Sequence, residues 1–169
     1  AHVVSLRRVP GLLGIAADDA ALTIGAMTTI TEIAAHPFIR SHYLALAEAC
    51  DAFSTTQVAT MGTLGGNIAN ASPAADSAPA LLAYGAQIVI CGPESERHLP
   101  VGKFFVGPGR SALRRGEIVT AVVLPKPDRF ANPVRFGAAF LKMGRVAADI
   151  AKASAAVVIA RDGNCIAAA

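Results

Sequence analysis

The stretch best equipped for chemistry is Met61 to Ser77, MGTLGGNIANASPAADS, which sets two adjacent glycines, hydroxyl and amide side chains and one aspartate between apolar segments. Gly65-Gly66 has no side chains, so backbone N–H groups there can point at an anion, and Thr63 and Asn67 flank the pair with neutral donors. That donor set suits a pyrophosphate. A sharp turn in which the glycines only supply positive φ accounts for the same letters, and the residues alone leave both readings open. The stretch lacks the Gly-Lys-Ser/Thr ending of a Walker phosphate loop. It also lacks the third glycine and the strand-to-helix placement of the dinucleotide fingerprint, so the ordinary nucleotide folds are disfavoured.

No second constellation competes with it. His2, His36, His42 and His98 have no metal-ligand spacing with cysteines or carboxylates, and no Ser-His-Asp set or paired carboxylates stand out. Cys50, Cys91 and Cys165 are odd in number and far apart, which excludes a disulfide framework and a CxxC cradle and fits a reducing, cytoplasmic setting. With 53% hydrophobic and 16% charged residues in 169, the chain is globular and long enough to bury on the order of 70% of its unfolded surface. The mean hydropathy of +0.48 comes from alanine, and no window nears the roughly 20 apolar residues of a membrane span. A charge of +3 invites a nucleic-acid partner, but the basic residues are scattered, the tightest clusters being Arg7-Arg8 and Arg114-Arg115. No basic helix or interleaved aromatic pattern accompanies them, so no nucleic-acid partner is expected. The opening AHVVSLRRVP is not a signal peptide and reads as a cut or processed start with a segment missing upstream.

The elements around the glycine pair follow from spacing. Val3 to Leu6 reads as the end of a strand, and Ile15-Ala16 and Ala21 to Gly25 as short strands around Asp18-Asp19. Thr29 and Glu32 have capping-box spacing for a helix that Pro37 stops. Apolar recurrence predicts a helix from about His42 to Ala52, extended by Gln57, Val58 and Met61. Asp76 or Ser77 can cap a helix that ends at Gly85. Strands are expected over Gln87 to Cys91, Arg97 to Pro100 and Glu117 to Leu124, with a loop at Val106 to Gly109. A proline-rich linker, Pro125 to Pro133, then separates Val134 to Met143, Asp149 to Ile159 and Cys165 to Ala168, the last two joined by a turn at Arg161 to Asn164. This divides the chain into 1–125 and 126–169, the latter the start of a second small lobe.

The TLGGNIANASPAADS core resembles the FAD-binding medium subunit of the molybdenum hydroxylases, the group of xanthine dehydrogenase and aerobic carbon monoxide dehydrogenase. Nearly the whole chain takes part: Ile24-Gly25-Ala26, the Ala-Leu-Leu-Ala-x-Gly-Ala of 80–86, the Phe104-Phe105-x-Gly-Pro-Gly turn, Gly116-Glu117-Ile118 and Asp149-Ile150-Ala151. The resemblance implies an α+β, two-lobed FAD-binding domain of the PCMH (vanillyl-alcohol-oxidase-like) type, with a C-terminal α/β subdomain only begun here. It implies an oxidoreductase: an electron-transfer flavoprotein that takes electrons from a molybdopterin subunit through the 2Fe-2S clusters of an iron-sulfur subunit and passes them to NAD, oxygen or a quinone. A self-contained FAD-dependent oxidase or reductase of the same broad fold is the alternative, and a non-catalytic basic binding module the third reading.

Carried over one position at a time, the family's pyrophosphate loop falls on Thr63, Leu64, Gly65, Gly66 and Asn67. Asp76 matches a carboxylate that, acceptor-only when ionised, takes hydroxyl or amino hydrogens of the cofactor; it reads equally as a helix N-cap. Phe53 matches an aromatic placed against the flavin nucleotide, although a Phe ending an apolar helix also suits the core. Val119 falls on an apolar flavin neighbour. Lys142 falls on a lysine near the flavin ring, with a slip of one residue putting Leu141 there instead. Three departures stand out. The family's first FAD segment, a Gly-Gly-Thr/His loop, is missing ahead of Val3 to Leu6, so the chain alone is expected to bind FAD weakly or not at all. Arg145-Val146 stands where many relatives have an arginine pair, and the cysteine cluster of relatives that reduce aromatic thioesters is absent.

Overall fold

The computed structural model describes residues 2–126, 135–146, 148–162 and 165–168. Strands β1 (Ile15–Ala17) and β2 (Ala21–Gly25) form the expected hairpin. Asp18 closes it, its Oδ1 accepting the N–H groups of Ala20 and Ala21 at 2.8 Å each. Helix α1 (Ile30–Ala35) begins with the full capping box: Thr29 accepts from the Glu32 N–H, and the Glu32 carboxylate accepts from the Thr29 N–H at 2.8 Å. Those bonds hold the Glu32 carboxyl below its usual range. Pro37 does not merely stop α1. It occupies the first position of a second helix, α2 (Pro37–His42), where a missing N–H costs nothing. Next come α3 (Leu44–Asp51), the amphipathic helix read from spacing, and α4 (Thr56–Met61).

Two more helices, α5 (Leu64–Ala69) and α6 (Ser77–Ala83), lead to Gly85, which ends the helical region at a φ of +66°. β3 (Gln87–Cys91), β4 (Glu96–Pro100), the single turn α7 (Val101–Phe104), a small hairpin of β5 (Phe105–Gly107) and β6 (Arg110–Ser111), and β7 (Ile118–Pro125) follow. The segment expected as a loop at 106–109 is thus a hairpin turn. Strands β1, β2, β7, β3 and β4 make one antiparallel sheet in that order. A second sheet, ordered β10-β9-β8, is built from β8 (Arg135–Met143), β9 (Ala153–Asp162) and β10 (Cys165–Ala168). Most of the expected linker, residues 127–133, lies outside the described residues, as do Gly163 and Asn164 of the expected turn. Val3 to Leu6 forms no strand; the backbone turns there, the Val9 N–H donating to the Leu6 carbonyl at 3.1 Å.

One continuous core joins both sheets to the helices. Leu22, Ile24, Ile88, Val122 and Leu124 of the first sheet meet Ile30, Ile33, Leu46, Ile68 and Leu81 of the helices, and Phe140 and Val158 of the second sheet complete the cluster. β8 packs along α3 and β9 along α6. Polar bonds fasten that docking: the Glu48 carboxylate of α3 accepts the Phe140 N–H of β8 at 2.7 Å, across 92 residues of chain. Tyr43 and Tyr84 stack edge to face in the core, and the Tyr43 hydroxyl donates to the Pro125 carbonyl at 3.1 Å.

Candidate functional site

The glycine pair lies in the first turn of α5, not in a loop. Thr63 is the N-cap, and its Oγ1 accepts the Gly66 N–H at 3.2 Å. The donors before it point inward: the Leu64 N–H reaches the Thr28 carbonyl at 3.0 Å and the Gly65 N–H the Ala26 carbonyl at 2.8 Å. Neither glycine has a positive φ. Gly65 is small because two segments touch there, since a Cβ would lie 2.5 Å from the Ala26 Cβ. The expectation of two free N–H groups facing an anion is corrected accordingly. What the turn leaves open is Gly66, exposed at the surface, its N–H held only by a hydroxyl that a ligand oxygen can replace.

Beside α5 lies a cleft of about 210 Å³ lined by Phe53, Asn67, Asp76 and Lys142. Four residues picked out from distant parts of the sequence therefore meet in one place. The Ser77 hydroxyl donates to Asn67 Oδ1 at 2.6 Å, which turns the Asn67 amide hydrogens outward as donors. Lys142 Nζ donates to Asp76 Oδ2 at 2.8 Å and to the Ala52 carbonyl at 3.0 Å, and both charged side chains are less than 10% exposed. Asp76 Oδ1 is buried with no hydrogen-bond partner. Asp76 stands at the N-cap position of α6 but makes no side-chain cap bond, because Lys142 holds it. A buried carboxylate with one oxygen paired and the other bare is costly unless a further donor arrives.

Strand alternation puts Lys142 and Leu141 on opposite faces of β8. Lys142 faces the cleft, whereas Leu141 is 76% exposed on the other face. Phe53 is half-buried, its ring over Gly62. Leu64 and Val119 do not line the cleft: Leu64 is fully buried, and Val119 sits in the core opposite Ile90 of β3. Thr63 borders a separate recess of about 420 Å³ with Arg7, Leu13, Met27, Thr29, Thr60 and Met61.

Sequence reasoning missed several neighbours of the cleft. Ser54 lines it at a φ of +39°, and Ala71, just past α5, has a φ of +48°, left-handed positions where glycine is usual and no letter gives warning. Asp149 also lines the cleft, its carboxyl held below the usual range by the Arg145 guanidinium at 2.7 Å and the Ile150 N–H. Its place in the Asp149-Ile150-Ala151 motif was the available signal.

Residues 1–127 match the family described as the FAD binding domain in molybdopterin dehydrogenase. The chain belongs to that family. As a molybdopterin dehydrogenase FAD domain it is 32% identical over 165 residues to the carbon monoxide dehydrogenase medium chain of Hydrogenophaga pseudoflava, covering 98% of this chain and 56% of the relative. It is 35% identical over 137 residues to the putative xanthine dehydrogenase FAD-binding subunit of Escherichia coli, covering 80% of this chain and 47% of the relative. Among solved structures, the carbon monoxide dehydrogenase of Oligotropha carboxidovorans superposes with a TM-score of 0.88 at 31% identity, over 95% of this chain and 55% of that one. The chain thus spans about half the length of the curated relatives it matches. The α+β fold expected of an FAD domain of this PCMH type is the fold observed.

Proposed function

We propose that this FAD domain holds one FAD, with the flavin in the Asp76–Lys142 cleft and the diphosphate along Thr63, Gly66 and Asn67, and that it serves as the electron-transfer subunit of a molybdopterin-dependent dehydrogenase. The observation that carries the reading is the buried, unpartnered Asp76 Oδ1 in the cleft that gathers Phe53, Asn67 and Lys142. The donor set fits the cofactor. A flavin nucleotide brings hydroxyl and N–H hydrogens for which Asp76 Oδ1 is a waiting acceptor, and an aromatic face for Phe53. Lys142 holds Asp76 in place through the 2.8 Å ion pair. Gly65 lets α5 approach Ala26, so that exposed Gly66 and the Asn67 amide stand at the rim. Leu64 and Val119 contribute by fixing the backbone beneath, not by touching the ligand.

FAD supplies the one- and two-electron chemistry; the protein supplies position and electrostatics. Electrons reach it from a molybdopterin subunit through the 2Fe-2S clusters of an iron-sulfur subunit and leave to NAD, oxygen or a quinone. In this reading residues 126–169 begin a second lobe that closes on the cofactor. Leu141, Met143 and Ile166 are more than half exposed on the second sheet, an apolar surface suited to cover by further protein. No described helix is long and apolar enough to cross a membrane. The reading places the complex in the cytoplasm, in keeping with three free cysteines.

The test is flavin content of the complete subunit, since these 169 residues by themselves are expected to hold FAD weakly or not at all. Wild type is expected to carry about one FAD by absorbance and mass. Gly66→Val should lose it with an unchanged circular dichroism spectrum, and Asp76→Asn should lower affinity about tenfold or more. Normal flavin stoichiometry in both variants defeats the site assignment. Flavin without co-purifying molybdenum and iron, together with substrate-dependent reduction of an acceptor by the chain alone, replaces this reading with a self-contained flavoenzyme.

A further inference from the structure

Ser77 stands at the first position of α6 and is 1% exposed, so its hydroxyl is cut off from water and needs a partner inside the protein. A serine at a helix start commonly turns back onto the N–H groups of its own helix. This one does not. It reaches across to α5, which packs beside α6, and donates to Asn67 Oδ1 at 2.6 Å. Asp76, at the N-cap position just before it, makes no side-chain cap bond either and is held by Lys142 instead. Both residues that could cap α6 are thus drawn off toward the cleft. A helix start left without its side-chain cap gives up stability, and local rules are broken in this way where function takes the side chains elsewhere.

The bond to Ser77 determines what Asn67 can offer a ligand. An asparagine amide is planar, with an acceptor oxygen on one arm and two N–H donors on the other, and rotation about its last torsion presents either arm. With Oδ1 tied to α6, the free arm is the donor, and among the described residues no bond occupies Asn67 Nδ2. Asn67 lines the cleft and Ser77 does not. An untied amide would turn its oxygen into the cleft part of the time, where Asp76 Oδ1 is already a bare acceptor and where an acceptor atom of the cofactor would meet its like. We infer that Ser77 is a positioning residue for FAD: buried behind the cleft, it locks Asn67 as a donor, so that α5 presents N–H hydrogens and Asp76 a carboxylate oxygen. The inference rests on the FAD reading above and adds to it a residue that acts only through Asn67.

Calorimetric titration of FAD into the flavin-stripped complete subunit tests this as a double-mutant cycle. Ser77→Ala should weaken FAD about five- to tenfold, the size of one oriented hydrogen bond. Ser77→Cys, which keeps a side chain of similar shape but donates weakly, should lose affinity several-fold. Asn67→Ala should itself bind FAD less tightly than wild type, and in that background Ser77→Ala should change affinity less than about twofold. A residue that only held α6 together would lower affinity by the same factor in both backgrounds, and that result overturns the inference. Wild-type affinity in Ser77→Ala overturns it too, as does wild-type affinity in Ser77→Cys should the alanine variant not fold. An Asn67→Ala subunit that binds FAD like wild type also overturns it and removes Asn67 from the site, leaving Asp76 and Lys142 to be judged on their own variants. A wild-type subunit that takes up no FAD sinks the FAD reading itself.

Discussion

Two cation–carboxylate pairs in this molecule are built on opposite plans. At one corner of the first sheet, Glu117 accepts from Arg97 Nε at 2.9 Å, from Arg97 Nη2 at 2.8 Å and from the Arg114 N–H at 2.7 Å, and the same guanidinium reaches the Ala112 carbonyl at 2.9 Å. Both carboxylate oxygens are satisfied, and the turn beside it is made by Gly116 at a φ of +85°, a residue that adopts it freely. In the cleft, Asp76 and Lys142 are more deeply buried, yet Asp76 Oδ1 has no donor, and the left-handed positions nearby are held by Ser54 and Ala71. The corner is a closed fastening that asks nothing more of its surroundings. The cleft keeps an unmet acceptor and backbone strain, the combination found where a ligand completes the structure.

The largest contrast should appear when each pair is broken. Lys142→Met strands a buried carboxylate and should cost about 3–5 kcal/mol in urea unfolding, while pairing it with Asp76→Leu should recover most of the loss. A cost below about 1 kcal/mol for the single variant means that water reaches Asp76 and that the pair is not buried in the sense of its low exposure. The corner answers to acid instead. Arg97 foremost, and then the Arg114 N–H, lower the Glu117 carboxyl from its ordinary 4.5 to about 2. A depressed pKa stabilises the fold fully above about pH 4.5 and loses that contribution as pH falls toward 2, so Glu117→Gln should flatten this part of the acid stability curve. An unchanged curve between those values shows that the corner contributes nothing by charge. The smallest effects test strain. Gly116→Ala should destabilise by about 1 kcal/mol, whereas Ala71→Gly should leave stability level or raise it by about 0.5 kcal/mol, read as shifts of a few degrees or less in melting temperature. Opposite signs would remove the distinction between a relaxed corner and a strained cleft.

Local chemistry was readable from the letters, long-range chemistry was not. The Thr29–Glu32 box and the Asp18 turn depend on neighbours within a few residues, and both stand as the spacing implied. Pro37 stops α1 as expected, and α2 was hidden because a proline halts one helix and opens another by the same lack of an N–H. α5 was hidden because paired glycines each disfavour a helix by about 1 kcal/mol, a preference overridden here by the contact of Gly65 with Ala26. Asp76 looked like a cap because its decisive partner lies 66 residues later. The resemblance found Phe53, Asn67, Asp76 and Lys142 as separate matches, and only the fold shows that they share one cleft and that Val119 does not.

The bond from the Phe140 N–H to Glu48 has a consequence for self-association. Among the described strands β8 is the outermost of its sheet, and an outermost strand offers a row of unpaired donors and acceptors on which another chain can add. Phe140 stands opposite Ala156 with its N–H turned away from β9, and the carboxylate of α3 takes that donor at 2.7 Å. A charge seated on the rim discourages an incoming β-strand both by occupying a ladder position and by requiring that strand to bury a carboxylate. The helix that docks the second sheet thus also guards it against amyloid-like extension.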